Sequence, residues 1–145
     1  MSNERRAARK RLLILALAIS ALVMLFTGCS RDEIILKVSC DDFYRDNVVA
    51  REMVVPHGDL FKISMCGNPS SAWEWPEKAA ISDGSLIVQT GHKSVMIPLG
   101  GAPGQEIWTF RALKEGAGRV TIEGDCTQES NGNEIWRLEL RVIID

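Results

Sequence analysis

Beyond residue 33 the chain is written in alternation. In residues 59–65, Phe61, Ile63 and Met65 take every second position and would share one face of a strand. Residues 105–112 repeat the pattern with Trp108, Phe110 and Ala112 on the core side. Residues 119–124 set Val120 and Ile122 inward against Arg119, Thr121 and Glu123. The clearest case is 134–144, where Trp136, Leu138, Leu140 and Val142 oppose Arg137, Glu139 and Arg141. Residues 34–40, 48–55 and 86–90 add further extended segments, and 92–99 is more weakly patterned. Between them stand turn formers: Pro56-His57-Gly58-Asp59, Ile81-Ser82-Asp83-Gly84-Ser85, Lys114-Glu115-Gly116-Ala117-Gly118 and Asn131-Gly132. No helical period of useful length follows Cys29, and the polar run 41–47 reads as a solvated turn. Seven or eight short strands separated by turns predict an all-β chain folded as an antiparallel β-sandwich.

The first 28 residues obey a different rule. Arg5, Arg6, Arg9, Lys10 and Arg11 precede fifteen uncharged residues from Leu12 to Phe26, and Thr27-Gly28-Cys29 follows. A basic start, a short apolar run and small residues describe an export signal rather than a membrane span. The Gly28-Cys29 junction resembles the lipobox of bacterial lipoproteins, although Phe26 replaces the usual leucine. That resemblance implies a signal peptide at 1–28, a lipid on Cys29, a tether at 29–33 and a sandwich domain at 34–145. The expected location is extracytoplasmic and membrane-anchored, on the cell surface or the periplasmic face. A plain signal peptide and an uncleaved anchor helix are the alternatives.

Charge narrows the partners. Residues 1–28 hold five basic side chains and Glu4, so a whole-chain charge of −2 leaves −6 on the remaining 117 residues. That acidic remainder has no basic stripe, so nucleic acid is not expected as a partner. A single domain of this length is expected to be a monomer. Only His57 and His92 offer imidazoles, and no cysteine pair has Cys-x-x-Cys spacing, so neither a zinc site nor any other cofactor is expected. Asp41 and Asp42 lack neighbours to complete an oxygen cage. No nucleophile stands near a base in the sequence, and the chain does not read as an enzyme. With Cys29 reserved for lipid, Cys40, Cys66 and Cys126 remain. Export permits a disulfide. Cys40 and Cys66 each end a predicted strand and are the expected pair, with a contribution of about 3 kcal/mol. A Cys66–Cys126 pair, leaving Cys40 free, is the alternative.

Two stretches stand apart from the strands. Asn68-Pro69-Ser70-Ser71-Ala72-Trp73-Glu74-Trp75 is a small polar loop closed by two tryptophans. Gly100-Gly101-Ala102-Pro103-Gly104 has little side-chain bulk and leads into Trp108-Thr109-Phe110-Arg111-Ala112. In this order the two loops resemble those of the chagasin family, protein inhibitors of papain-like cysteine proteases. The family's first loop reads Asn-Pro-Thr-Thr-Gly, then an aromatic, a variable residue and tryptophan; its second is Gly-x-Gly-Gly. The resemblance spans roughly residues 34–145 and implies an immunoglobulin-like sandwich whose loops form a wedge in the protease cleft, without covalent chemistry. The implied contact residues are Asn68, Pro69, Ser70, Ser71, Ala72 and Trp73 in the first loop, and Gly100, Gly101, Ala102, Pro103 and Gly104 in the second. Trp73 fits either a core residue holding the loop or a partial anchor. Thr127 and Gln128 stand where the third family loop carries Arg-Pro-Trp, a motif this chain lacks. A weaker or narrower inhibitor is therefore expected; the alternative is a lipid-anchored sandwich that binds or supports something else.

Overall fold

The computed structural model describes residues 32–67, 73–95, 104–126 and 134–145. Nine strand segments and one helix appear among them: β1 (Ile34–Val38), α1 (Cys40–Arg45), β2 (Val48–Val55), β3 (Leu60–Gly67), β4 (Trp73–Glu74), β5 (Ala80–Ile81), β6 (Ile87–Val95), β7 (Gly104–Ala112), β8 (Gly116–Cys126) and β9 (Glu134–Ile144). One sheet has the order β1-β3-β7-β6; the other has β2-β9-β8-β4, with β5 also on β8. The two sheets close on each other as the expected sandwich.

The alternation drives this packing. Phe61, Ile63 and Met65 of β3, Trp108, Phe110 and Ala112 of β7, Val120 and Ile122 of β8, and Trp136, Leu138, Leu140 and Val142 of β9 are all buried in one core. Their neighbours Arg111, Arg119, Glu123 and Arg141 stay exposed. Each large side chain removed from water contributes about 1.5–3 kcal/mol, so the period-2 pattern is the main force that assigns faces.

The central pairs β3–β7, β6–β7 and β8–β9 are antiparallel. At the edges the sandwich is mixed, because β1 runs parallel to β3 and β2 parallel to β9. Parallel partners cannot be joined by a tight hairpin. After β1 the chain crosses to the other sheet through α1, descends in β2 and returns in β3 through the Pro56–Asp59 turn. In that turn Asp59 N donates to Pro56 O and Gly58 takes φ 82°, a conformation glycine adopts without strain.

The helix corrects one expectation. Residues 41–47 were expected as a solvated turn, and the first six residues after Ser39 instead form α1, with Phe43 fully buried. Ser39 stands at the N-cap, where its backbone N and its Oγ both donate to Asp42 Oδ2, at 3.0 and 2.9 Å. Asp41 and Asp42 occupy the first turn and Arg45 the last, which suits the helix dipole. A six-residue helix is too short to show a period and is too weak to stand alone. One buried aromatic and one cap hold it.

Candidate functional site at the loop end

Strand register fixes where the loops arise. Gly67, the last residue of β3, pairs with Gly104, the first of β7, and Val95 at the end of β6 pairs with Gln105. On the other sheet Trp73 and Glu134 both pair with Cys126, the end of β8. The strand ends flanking segments 68–72, 96–103 and 127–133 therefore lie at one end of the sandwich. The chain also crosses from β1 to β2 there, because β1 and β3 run upward together and β2 and β9 run downward together.

An aromatic floor supports this end. Trp75 is half-buried and its Nε1 donates to Cys66 O at 2.9 Å, tying the base of the first loop. Its ring meets Phe43 at 5.4 Å, Trp108 at 6.4 Å and Trp136 at 6.4 Å. Phe43 stacks on Trp136 at 5.1 Å, within 6° of parallel. Trp108 Nε1 donates to Pro76 O at 3.0 Å, so this buried indole nitrogen is satisfied by the segment that crosses between sheets. That segment is clamped again by Gln89, whose side chain accepts from Ala79 N and donates to Glu77 O. Gly124 makes the floor possible: a Cβ there would lie 2.6 Å from Trp75 Cε3.

A polar cluster spans the two strands, β6 and β7, that lead into and out of the second loop. Glu106 Oε2 lies 2.8 Å from His92 Nε2, and Ser94 Oγ donates to Glu106 Oε1. The His92 ring leans on Trp108 with centroids 5.0 Å apart. A Cβ on Gly67 would come within 3.1 Å of Glu106 Cγ, so glycine at the end of β3 leaves room for this carboxylate. Glu106 holds both partners and neither histidine nor serine reaches the other as a base would reach a nucleophile; the cluster is a strut.

Cys40 and Cys66 are joined, with sulfurs 2.00 Å apart and Cα atoms 5.5 Å apart, as expected from the strand ends. The bond pins the start of α1 to the residue before the last of β3. Hydrogen bonds from Ser39 backbone and side chain, then the charges of Arg51 and Arg45, hold the Asp42 carboxyl below its usual range. Arg51 Nη2 reaches Asp42 Oδ1 at 3.3 Å, linking α1 to β2.

Of the contact residues expected from sequence, Gly104 is placed at the buried start of β7, and the backbone of Trp73 pairs in β4. Asn68, Pro69, Ser70, Ser71, Ala72, Gly100, Gly101, Ala102, Pro103, Thr127, Gln128 and Cys29, the expected lipid site, lie outside the described residues. Sequence reasoning missed α1 and the Glu106 strut; that the tryptophans close the first loop was legible, and Trp75 does so through Cys66 O. A cap of the form Ser39-x-x-Asp42 ahead of Phe43 was the one signal that marked the helix.

The same residues match known proteins. Residues 54–141 match the family model described as chagasin family peptidase inhibitor I42. No curated protein sequence matches the chain. Among solved structures, the cysteine protease inhibitor EhICP2 from Entamoeba histolytica shares the fold with a TM-score of 0.56 and 16% identity, covering 80% of this chain and all of that one. PbICP-C, solved in complex with falcipain-2, superposes with a TM-score of 0.57 and 14% identity over 77% of this chain and 99% of its own. Amebosin follows with a TM-score of 0.50 and 14% identity, over 77% of this chain and 98% of its own. At such identities the structures establish the sandwich; the family model covers more than half the chain and establishes kinship. The chain belongs to the chagasin family of peptidase inhibitors and is not an enzyme.

Proposed function

We propose that this protein is a reversible, non-covalent inhibitor of papain-like cysteine proteases, held at a membrane by a lipid on Cys29. Residues 67–73 and 100–104 enter the protease cleft as a wedge, and the segment near 126–128 flanks them. The observation that carries this reading is the convergence of the flanking strand ends at one end of the sandwich, over a rigid aromatic floor. Kinship with peptidase inhibitors supports it, and the complex of PbICP-C with falcipain-2 supports a papain-like partner. The residue types suit the task. Pro69 limits the entropy lost when the loop is fixed. Ser70 and Ser71 are small enough for a narrow cleft and can hydrogen-bond within it. The glycines of the second loop allow backbone to approach backbone.

The test is titration of the full chain, in mild detergent, against papain with residual activity as the readout. Reversible inhibition is expected, with Ser71→Arg raising the inhibition constant about 100-fold or more because a long charged side chain cannot share the cleft. A folded, monodisperse chain that leaves papain fully active would refute the proposal. The anchor is tested separately: Cys29→Ser should abolish labelling by a fatty-acid precursor.

A further inference from the structure

We infer that α1 is a fourth contact element beside the wedge, with Tyr44 as an aromatic anchor on the rim of the bound protease. The inference rests on the inhibitor reading above and extends it to residues outside the family match, which begins at residue 54.

Position comes first. Cys40 opens α1 and is bonded to Cys66, so the helix starts at the base of the first loop. Tyr44 meets the Trp136 ring edge-on with centroids 5.1 Å apart. Trp136 lies two residues beyond Glu134, where β9 leaves segment 127–133. Tyr44 thus stands between the bases of the first and third loops, at the end of the sandwich that faces the protease.

Exposure comes second. Adjacent residues of α1 have opposite fates: Phe43 is 0% exposed and Tyr44 is 73% exposed. Tyr44 is the chain's single tyrosine. At the same end, on the outward side of the β2/β9 sheet, Val48 is 47% exposed and Ile135 is 44% exposed. Single exposed apolar residues are ordinary, but three at one end, one of them a nearly free aromatic ring, are the composition of a contact patch.

Preparedness comes third. Phe43 stacked on Trp136, the disulfide and the Ser39–Asp42 cap hold the helix, and the edge of Trp136 orients the tyrosine ring. An anchor already ordered in the free protein loses little entropy on binding. Tyrosine is among the residue types that dominate interface energy, and residues 126–133 contain neither an aromatic residue nor an arginine. The helix presents an aromatic beside a loop segment that has none.

The experiment compares the full chain with Tyr44→Ala and Tyr44→Phe against papain, measuring inhibition constants and melting temperatures together. Tyr44→Ala should raise the constant about tenfold or more while Tyr44→Phe stays within about threefold, because the ring supplies the contact. Hydrogen exchange of the wild-type complex should show residues 40–47 protected relative to the free chain, a readout independent of any substitution. Wild-type inhibition together with an unchanged constant for Tyr44→Ala and no protection at 40–47 would overturn the inference and leave the inhibitor reading standing. A wild-type chain that does not inhibit would remove both.

Discussion

Gly124→Ala tests whether the floor beneath the loops is as tightly built as its geometry implies. Gly124 pairs with Trp136 across β8 and β9, and the space where a side chain would sit is filled by Trp75. A Cβ would lie 2.6 Å from Trp75 Cε3, 2.9 Å from Cζ3 and 3.1 Å from Cδ2. Carbon atoms are comfortable at about 3.5–4.0 Å, so the ring must retreat by roughly 1 Å. It has nowhere easy to go: Phe43, Trp108 and Trp136 surround it, and its Nε1 is bonded to Cys66 O. Overpacking of this kind costs about 1–3 kcal/mol, and loss of the indole hydrogen bond adds about 1 kcal/mol. The expected destabilisation is about 2–4 kcal/mol, read as a lower urea midpoint at unchanged slope.

The same variant should weaken inhibition, because Cys66 O is the tether at the base of the first loop. A second background separates steric cause from general disturbance. Trp75→Phe replaces the indole by a smaller single ring and removes the fused edge carrying Cε3 and Cζ3 that the new methyl would strike, so Gly124→Ala should cost less by at least about 1 kcal/mol in that background, a coupling typical of residues in contact. If Gly124→Ala unfolds within about 0.5 kcal/mol of wild type, or costs the same with phenylalanine at 75, the wedged arrangement of Trp75 and Gly124 is wrong.

Two further outcomes are expected. Cys40 and Cys66 are separated by 26 residues, so replacing both by alanine should destabilise the chain by about 3–4 kcal/mol, and mass mapping of the unreduced protein should yield a Cys40–Cys66 peptide and no Cys66–Cys126 peptide. Asp42 and Asp83 both have carboxyl values lowered from 3.8, Asp42 by its bonds from Ser39 and Asp83 by its bonds from Ser85. A lowered folded-state value contributes stability above the unfolded value and loses it as pH falls through the folded one. Melting temperatures of Asp42→Asn and Asp83→Asn should therefore lie below wild type at neutral pH and converge on it between about pH 5 and pH 2.

How much of this was legible in the sequence depended on how many residues repeated each signal. The faces of β3, β7, β8 and β9 were written two to four times over in alternating side chains, and a slip of one residue would have inverted every one. The disulfide followed from two strand ends. The helix was hidden because six residues hold fewer than two turns, and four of the residues from Asp41 to Asp46 are charged. Only burial of Phe43 reveals which side faces inward, and burial depends on Trp75 and Trp136, each far away in sequence. The parallel edge pairs were invisible for a related reason: register alternation is the same in either direction, and direction is settled by the crossing through α1. The loops themselves were legible as composition, through Pro69, Ser70, Ser71 and the glycines of 100–104. Their common origin at one end was implied only by the family resemblance, because in the residues themselves it depends on pairs such as Gly67 with Gly104 and Trp73 with Cys126.

The placement of aromatic residues separates the part of this molecule that holds the loops from the part that can grip a partner. Three of four tryptophans, at 75, 108 and 136, and Phe43 meet one another beneath the loop end. Each such pair contributes about 0.5–1.5 kcal/mol beyond its buried area, and the indole donors of Trp75 and Trp108 close on Cys66 O and Pro76 O rather than facing outward. Residues committed in this way to stiffness cannot also be anchors for a protease. Among the aromatic rings whose side chains the structure describes, that leaves Tyr44 with most of its surface free at this end. Substitutions in the floor should therefore lower stability and affinity together, whereas loss of the Tyr44 ring should lower affinity at nearly constant stability. That difference in behaviour, more than the size of either effect, distinguishes a scaffold residue from a contact residue in this fold.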